Sequence, residues 1–416
     1  MACTNYVYYI PLFIFIIGCK NHNPKSLSEE VNNRQDFKTI DIQPQKSISL
    51  KTDDFINAVH FVSLETTEES EFSEITQLES LIDRYIILDK TTNQILFFSK
   101  EGKFLKKISP DDDALPMPYE KVVDFALDHQ NKKLYFNDLH SANIFEFSLN
   151  GDFLRVYEKK EIDYNIRENH HVNEYQLSYL AFRKSDRNQE NPHNIIVFKD
   201  NQIRRQYLPF DASIINRDDV YGANNYFFES GHLVFFVKPY SENIYCFDES
   251  GEMFRAFRFN FPNHLNIPND FTQNEKYSKK RKLFVKKNGA KIYLITDFFQ
   301  LDDKLVFKLK GGTYSDAFLY DLSNKSLVSL TRYVSDSTTN FLPILGNDIL
   351  GVDDEKILSS ISSKNFIDLV NTRSAQGSNM HTMPKEIKEI YARGNDQNPI
   401  LLLTDLKRDI LYNKEF

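Results

Sequence analysis

The apolar positions along the chain recur with a spacing of about fifty residues, which is typical of repeat architectures. Residues 85–108 and 134–157 each read as an apolar strand, a polar turn, a second apolar strand, a Gly-containing turn and a third strand. The pattern returns in residues 194–210 and 232–259. Gly and Asn tolerate the positive φ of a hairpin turn. They hold the equivalent turn positions at Gly102, Gly151, Asn201 and Gly251.

Additional apolar strands at residues 122–128 and 224–230 precede two of these groups and complete units of four strands. Further units occupy residues 291–333 and, in two pieces, 347–361 and 398–407. Four short antiparallel strands per repeat are typical of a propeller blade, because stacking blades in a ring covers both apolar faces of each blade. The sequence therefore predicts an all-β fold, a six-bladed β-propeller of four-stranded antiparallel blades, over residues 51–416.

The strand at residues 58–65 precedes the first blade and has no partner there. We expect it to pair with the C-terminal strand at residues 400–406 and to complete blade 6. This closure joins the two ends of the ring and removes two exposed strand edges.

Three insertions have helical patterns. Residues 363–373 and 383–394 are predicted to be short helices in blade 6, the second beginning at Pro384 and ending at Gly394. Residues 271–290 are rich in Lys and resemble a basic amphipathic helix. This helix is either a contact for anionic lipid or an acidic polymer, or simply a solvated cover on one face of the ring.

The N-terminus has the pattern of a secretory signal. Residues 1–18 contain an uncharged apolar run that is too short to span a bilayer and ends at Gly18-Cys19. This ending looks like a bacterial lipobox, with Cys19 as the lipid attachment site and the membrane as the partner. The alternative is a buried N-terminal strand. Residues 19–50 are polar and are predicted to form a flexible tether.

Composition narrows the function classes. The net charge of −8 argues against a general nucleic-acid binder. With Cys3 in the signal and Cys19 lipidated, Cys246 is left as a small core residue and no disulfide is expected. The chain has 35 Phe and 22 Tyr but no Trp. We expect most of these rings, including Phe97, Phe147 and Phe247, to pack between blades.

The segments FVSLETTEESEFSEITQLESLIDRYIILDKTTNQILFFSKEGKFLKKI (61–108) and PYEKVVDFALD (118–128) resemble the opening of the six-bladed β-propeller lipoproteins of Bacteroidota, which have NHL-like blades. The resemblance covers roughly residues 51–410. Members usually carry a Gly-rich loop between the first two blades, which this chain replaces with residues 109–120. The resemblance implies the fold and an outer-membrane lipoprotein in the cell envelope, but no established activity.

The loops between blades are the expected location of a ligand site. Plausible contacts are Tyr119, Tyr164, His170, His171, Arg217 and Tyr221. The two histidines are either ligand or base groups at the mouth of the channel, or part of a polar loop. The acidic run Asp111–Asp113 is more typical of a solvated turn than of a Ca²⁺ site. No metal or cofactor is predicted, and no HExxH, GxSxG or Walker pattern occurs.

Two functions remain open. The first is a lipid-anchored module that binds a glycan, a peptide or a protein without catalysis. The alternative is a propeller enzyme, a lyase or hydrolase, that uses carboxylates and His at the channel mouth. Fold alone does not separate them. A channel mouth with two or more carboxylates within hydrogen-bond reach of a His or Arg would support the enzyme hypothesis.

Overall fold

The computed structural model describes residues 32–141, 143–158, 166–184, 192–200, 202–340, 342, 349–375, 383–395 and 397–410. Two strands precede the first blade, β1 (Asn32–Asp41) and β2 (Ile56–Ser63). All later strands belong to six antiparallel sheets. Five of these contain four consecutive strands, and the sixth combines β2 with the last three strands of the chain. The prediction of a six-bladed β-propeller is confirmed.

The first three blades follow the sequence order of their strands from the innermost to the outermost. Blade 1 consists of β3 (Gln77–Ser80), β4 (Arg84–Asp89), β5 (Gln94–Ser99) and β6 (Phe104–Ile108). Blade 2 consists of β7 (Ala126–Asp128), β8 (Lys133–Asn137), β9 (Asn143–Ser148) and β10 (Phe153–Glu158). Blade 3 consists of β11 (Glu168–Val172), β12 (Tyr175–Tyr179), β13 (His193–Lys199) and β14 (Gln202–Pro209).

The remaining blades contain the rest of the strands. Blade 4 consists of β15 (Phe227–Ser230), β16 (Leu233–Phe236), β17 (Asn243–Phe247) and β18 (Met253–Asn260). Blade 5 consists of β19 (Ile292–Leu301), β20 (Lys304–Gly311), β21 (Ser315–Asp321) and β22 (Leu327–Ser329). Blade 6 contains β23 (Ile349–Asp353), β24 (Lys356–Ile361) and β25 (Ile400–Leu406), with β2 as its outermost strand.

The ring closes as the sequence predicts. Strand β2 pairs antiparallel with β25, with Ile56 opposite Leu406 and Ser63 opposite Ile400. Leu401 and Leu402 on β25 are fully buried. Because β2 supplies the outer strand of blade 6, the first and last parts of the propeller are held by one hydrogen-bonded ladder.

Residues 32–50 differ from the expected tether. Strand β1 pairs in parallel with β18 and adds a fifth strand to blade 4. Ile40, Ile42 and Leu50 are buried at 3%, 0% and 0% exposure. The segment is polar on average, so these three apolar residues did not stand out in the sequence. Their burial is enough to hold the segment against the propeller. Residues 1–18 and the rest of the tether up to residue 31 lie outside the described residues.

Aromatic side chains fill the spaces between blades. Phe97, Phe147 and Phe247 hold equivalent strand positions and are completely buried, as predicted. Cys246, on β17 of blade 4, is also fully buried. The hairpin turn at Gly151 needs glycine twice over, because its φ is +81° and an added Cβ would approach the Phe97 ring to 3.0 Å.

The described residues include four α-helices outside the blades: α1 (Thr52–Phe55), α2 (Arg281–Lys287), α3 (Ser363–Ala375) and α4 (Lys385–Ala392). The last two confirm the predicted insertions in blade 6, where Phe366, Ile387 and Ile390 bury one side of each helix. The basic insertion contains a 3₁₀ turn (Glu275–Tyr277) and the α-helix α2, which is shorter than the sequence pattern indicates. Within the described part of the chain, no helix has the length and apolar character needed to cross a membrane.

Candidate functional site

The innermost strands surround a narrow central channel that contains acidic side chains and a histidine. Glu79 on β3, His170 on β11 and Glu229 on β15 line a cavity of about 80 Å³. His170 Nε2 lies 2.7 Å from Glu229 Oε1. Asp124 and Glu168 line the same cavity, whose described lining includes no Lys or Arg. We call this the central channel.

Burial and mutual repulsion set the protonation of these groups. Burial, reinforced by the Glu229 charge, raises the pKa of Glu79 to about 7. Burial also raises the pKa of Glu168 to about 7. Burial opposes a charged His170, but the Glu229 carboxylate outweighs it and the pKa of His170 is raised. His170 in turn outweighs burial at Glu229 and lowers the pKa of that carboxyl. The channel therefore holds an ion pair beside a carboxyl that takes up a proton near neutral pH.

Several polar groups of the channel hold the blades together. The Glu168 carboxylate of blade 3 accepts hydrogen bonds from the backbone N–H groups of Tyr226 and Phe227 in blade 4, at 2.8 and 3.2 Å. The Gln77 side chain of blade 1 pairs with both backbone groups of Phe125 beside blade 2. These contacts satisfy backbone groups that the short inner strands leave unpaired. Such contacts between blades are a structural reason for polar side chains in the channel, independent of any ligand.

A much larger space lies between blades 3 and 4, and we call it the blade 3–4 cleft. Its volume is about 1010 Å³. It is lined by residues from four connecting segments, 182–184, 208–214, 238–243 and 261–273. The connections that follow β14 and β18 and the turn between β16 and β17 supply most of this lining. A space of this size matches the pockets of small-molecule sites, which span about 300–1,000 Å³.

The backbone around the blade 3–4 cleft is held in an unusual conformation. Phe182, Leu208 and Tyr240 all have positive φ, at +60°, +58° and +62°. Bulky side chains rarely adopt this region, and such strain of about 1–3 kcal/mol per residue concentrates at functional sites. Surrounding contacts enforce it: Asn194 Oδ1 accepts from the Phe182 N–H at 2.9 Å, and Tyr293 O accepts from the Tyr240 N–H at 2.7 Å.

The charged groups of the cleft are mainly cationic. Its lining contains four Lys or Arg residues against two acidic ones. Arg258 pairs with Glu242 at 3.3 Å, and Asp211 accepts from Ser213. Lys238 has no carboxylate partner among the described residues, and its ammonium lies 5.4 Å from the centre of the Phe182 ring. Burial lowers the pKa of Lys238 to about 8.

Three further polar atoms of the cleft lining are buried and have no hydrogen-bond partner in the described part of the chain. They are the side-chain oxygens of Asn243 and Asn266 and the Nε of Arg255. The amide of Asn266 is oriented by its NH₂ group, which donates to Phe261 O at 3.0 Å. Buried polar groups are normally paired, so these three atoms leave hydrogen bonding incomplete in the packing behind the cleft wall, where they have almost no accessible surface.

A buried ion pair fixes two walls of the cleft. Arg281, at the start of α2, is fully buried and pairs with Asp219. Its guanidinium also donates to Phe271 O at 2.7 Å and to Ile214 O at 2.9 Å. Because these carbonyls belong to the 208–214 and 261–273 segments, the Arg281 side chain ties the two walls together.

The structure separates the residues predicted from sequence. His170 and His171 lie on the innermost strand of blade 3 and not in a loop. His170 faces Glu229, whereas His171 packs 5.0 Å from the Tyr135 ring of blade 2. Burial lowers the pKa of His171 to about 4. The alternative of a polar loop was wrong because a channel-lining strand can be polar on both faces.

Tyr119 is not available to a ligand, and that prediction was wrong. Its side chain is 2% exposed and packs 4.8 Å from the Phe136 ring. Its hydroxyl donates to the backbone carbonyls of Asn93 and Ile108, at 2.8 and 3.2 Å. Tyr119 therefore joins blade 1 to blade 2 from inside the core.

Arg217 and Tyr221 lie on the connection between blades 3 and 4, outside the cleft lining. Arg217 is exposed at the start of a 3₁₀ turn, and the Tyr221 ring lies 5.1 Å from the Tyr293 ring. The lysines of α2 point to solvent while Val285 is buried. Tyr164 and Cys19 lie outside the described residues.

Lys238, Asn243 and Asn266 were missed by sequence reasoning. Lys238 follows an apolar strand and precedes Pro239, which is an ordinary turn sequence. The one signal in the sequence was the expectation that loops between blades hold the site, since Asn266 lies on the connection between blades 4 and 5. No group of three or more His, Cys, Asp or Glu residues that the structure describes is arranged to hold a metal ion.

A family model described as "Domain of unknown function (DUF4934)" matches residues 37–405. The match begins within β1, in agreement with the packing of this strand on the body. No curated protein matches the chain.

The structure is similar to several solved propellers. One is a Bacteroides fragilis NCTC 9343 protein designated as exported, with a TM-score of 0.67 and 15% identity, covering 89% of this chain and 100% of that one. A member of the DUF4221 family from Bacteroides vulgatus has a TM-score of 0.46 and 8% identity, covering 84% and 98%. Virginiamycin B lyase from Staphylococcus aureus has a TM-score of 0.33 and 11% identity, covering 65% and 73%. At these identities the likeness establishes the fold alone, and the last two are too distant to bear on function.

Proposed function

The chain belongs to the DUF4934 family, and we propose that it is a ligand-binding module of the cell envelope. The blade 3–4 cleft is the binding site, and its ligand is a glycan or a peptide of the envelope. The proposal goes beyond the fold, which propellers with many different functions share.

The observation that carries this proposal is the cleft itself. It combines a volume of about 1010 Å³ with strained backbone and with the ammonium of Lys238, which has no carboxylate partner among the described residues. Phe182, Phe210 and Tyr240 supply apolar surface, while the amide and ammonium groups of the lining would orient a bound ligand. Polar and apolar residues line the cleft in similar numbers, and a small number of placed polar groups is what orients a ligand in a binding pocket.

The proposed location is the outer membrane of the cell envelope, to which a lipid on Cys19 would anchor the chain on its periplasmic or its exposed side. The lipobox-like ending of the signal supports it, and the Bacteroides fragilis neighbour is designated as exported. With β1 packed on blade 4, a tether would extend from Cys19 to about residue 31. Replacing Cys19 with Ser should move the protein from the membrane fraction to the soluble fraction. Unchanged fractionation would refute the anchor and leave the binding site untouched.

The enzyme alternative has one feature in its favour, the grouping of Glu79, His170 and Glu229. A His beside two carboxylates has the composition of a general acid–base site. However, the cavity of about 80 Å³ has room for only a few water molecules and for no glycan or peptide. The neighbouring polar groups are engaged in joining blades. Binding in the cleft is therefore the better supported function.

Occlusion of the cleft tests the proposal. Asn269 is an exposed residue of the cleft lining, so Asn269→Trp should fill the entrance without disturbing the core. Asn263→Trp, an exposed position on the same connection outside the lining, is the matched control. Envelope glycans and peptides that raise the melting temperature of the parent and of Asn263→Trp should have no effect on Asn269→Trp. A ligand that still stabilises Asn269→Trp equally would place the site elsewhere.

A further inference from the structure

The connection between blades 4 and 5 concentrates positive charge on one surface. Residues 276–287 contain seven basic residues and no acidic one, although the net charge of the whole chain is −8. Only Lys276 has a carboxylate partner among the described residues outside the buried Arg281 pair, namely Asp270 at 3.1 Å. We give the name α2 lysine patch to the six exposed lysines of this segment: Lys276, Lys279, Lys280, Lys282, Lys286 and Lys287.

The α2 lysine patch is held in a fixed position by the residues beneath it. Arg281 is fully buried and pairs with Asp219, and Val285 is buried one turn later. The Asp219 carboxylate also accepts hydrogen bonds from the backbone N–H groups of Lys279 and Arg281, each at 3.0 Å. Because these contacts fix the inner side of α2, its outer side presents the lysines to solvent.

An apolar side chain lies among the lysines. Leu283 is 52% exposed. Residues three and four apart are neighbours on a helix, so Leu283 has Lys286 and Lys287 beside it. Lysines around an exposed apolar residue are typical of a helix that lies on an anionic membrane, where ammonium groups contact the headgroups and the apolar side chain enters the acyl boundary.

An acidic polysaccharide would fit the α2 lysine patch less well than a lipid surface. Its anionic groups could pair with the lysines, but it would offer Leu283 no apolar environment. The exposed cations are all lysines, whose compact charge needs no fixed bidentate partner. Such charges suit a diffuse layer of anionic headgroups.

The proposed anchor is long enough to allow this contact. Strand β1 begins at Asn32 and runs parallel to β18, which leads into the connection that carries α2. The 10 residues of β1 rise by about 33 Å, whereas the chain from Cys19 to Asn32 can extend to about 45 Å. A lipid on Cys19 and the outer side of α2 can therefore reach the same membrane.

We infer that the α2 lysine patch is a membrane-contact surface that binds anionic lipid, with Leu283 entering the headgroup layer. This contact does not depend on ligand binding in the blade 3–4 cleft. It also differs from the proposed anchor, because it requires no lipid on the chain itself.

Cosedimentation with vesicles tests the contact. The purified chain carries Cys19→Ser, so that a lipid on the chain does not dominate the binding. Vesicles of phosphatidylglycerol and phosphatidylcholine provide anionic headgroups, and vesicles of phosphatidylcholine alone report what residues 1–18 contribute. We expect binding to the anionic vesicles to be at least about tenfold tighter at about 50 mM salt, and this preference should disappear at about 500 mM salt.

Loss of three lysines should remove this preference. Lys282→Gln, Lys286→Gln and Lys287→Gln together should weaken binding to anionic vesicles roughly 100-fold, at about fivefold per lysine. The melting temperature should not change, because the three positions are exposed. The matched control removes the same charge from three exposed positions elsewhere and should bind as the parent does: Lys103→Gln, Lys325→Gln and Lys364→Gln.

Leu283 distinguishes a lipid surface from an acidic polymer. Leu283→Ser should weaken binding to anionic vesicles about three- to tenfold, whereas Leu154→Ser, at a 48% exposed position on β10, should have no effect. Equal binding to both kinds of vesicle, or a preference that survives the loss of the three lysines, would overturn the inference. Unchanged binding by Leu283→Ser, or binding to polygalacturonate without any preference among vesicles, would overturn the lipid assignment in favour of an acidic polymer.

Discussion

The central channel and the blade 3–4 cleft are two polar spaces in one ring. They differ in charge, in volume and in the hydrogen bonds that their side chains make. The channel has a volume of about 80 Å³ and is lined by carboxylates around His170. The cleft has a volume of about 1010 Å³ and mainly cationic walls. Channel groups such as Glu168 and Gln77 are hydrogen-bonded to the backbone of the next blade. Cleft groups such as the Asn243 and Asn266 oxygens have no partner in the described part of the chain.

This difference shows why perturbed ionisation is a weak guide to function in this protein. The Glu79, Glu168 and His170 pKa values are all shifted, yet structural ion pairs produce such shifts as readily as catalytic sites do. Space separates the two regions better, because only the cleft is large enough for a ligand.

The largest expected effect comes from the ion pair that builds the cleft walls. Asp219→Asn should lower the free energy of unfolding by about 3–5 kcal/mol, because it leaves the fully buried Arg281 charge without its partner. It should also abolish ligand binding by releasing the two cleft walls. Chemical denaturation and calorimetry measure the two effects. Asp218→Asn, the exposed neighbour, is the control and should change neither. Full ligand affinity in a destabilised Asp219→Asn protein would show that the walls do not depend on this pair.

A smaller effect is expected in the channel, and it depends on pH. The pKa of Glu79 is raised from 4.5 to about 7. Between these two pH values the Glu79 carboxyl is protonated in the folded state and ionised in the unfolded state. Stability should therefore fall as the pH rises from 5 to 7, and Glu79→Gln should remove on the order of 1–3 kcal/mol of this fall.

Denaturation of the parent, Glu79→Gln and the exposed control Glu249→Gln at pH 5, 6, 7 and 8 measures this slope. The raised pKa of His170 acts in the same direction, so some slope should remain in Glu79→Gln. Ligand affinity at the cleft should not change. A parallel change in cleft binding would mean that the two regions are coupled.

The smallest effect concerns the added strand β1. The Phe37 ring lies 5.4 Å from the Arg255 guanidinium, which borders the cleft. Phe37→Ala should lower stability by about 0.5–1 kcal/mol for the lost cation–π contact. It should weaken ligand binding only a few-fold, because Arg255 is then less well ordered. Thermal melting and calorimetry of Phe37→Ala, with the exposed Lys38→Ala as control, test this link. No change in affinity would show that β1 supports blade 4 without shaping the cleft.

Sequence reasoning was strongest where a repeat imposes the same residues at the same positions. Phe97, Phe147 and Phe247 were assigned to the core because they recur, and the pairing of β2 with β25 followed from a strand without a local partner. It was weakest where a segment departs from the average blade. Strand β11 was not recognised because Glu168, Asn169 and the two histidines are polar, and β1 because only a few apolar residues anchor it.

The sequence by itself determined the six blades, the closure of the ring and the aromatic core. The reason is that equivalent strands in each blade bury the same positions, so apolar residues recur along the chain at the spacing of the blades. Only the tertiary structure decided where polar groups meet. Lys238, Asn243 and Asn266 come from two connections in different parts of the sequence, and Glu79, His170 and Glu229 come from three blades. Whether such groups are neutralised by neighbours or left facing open space depends on distances between distant segments, and no local pattern records those distances.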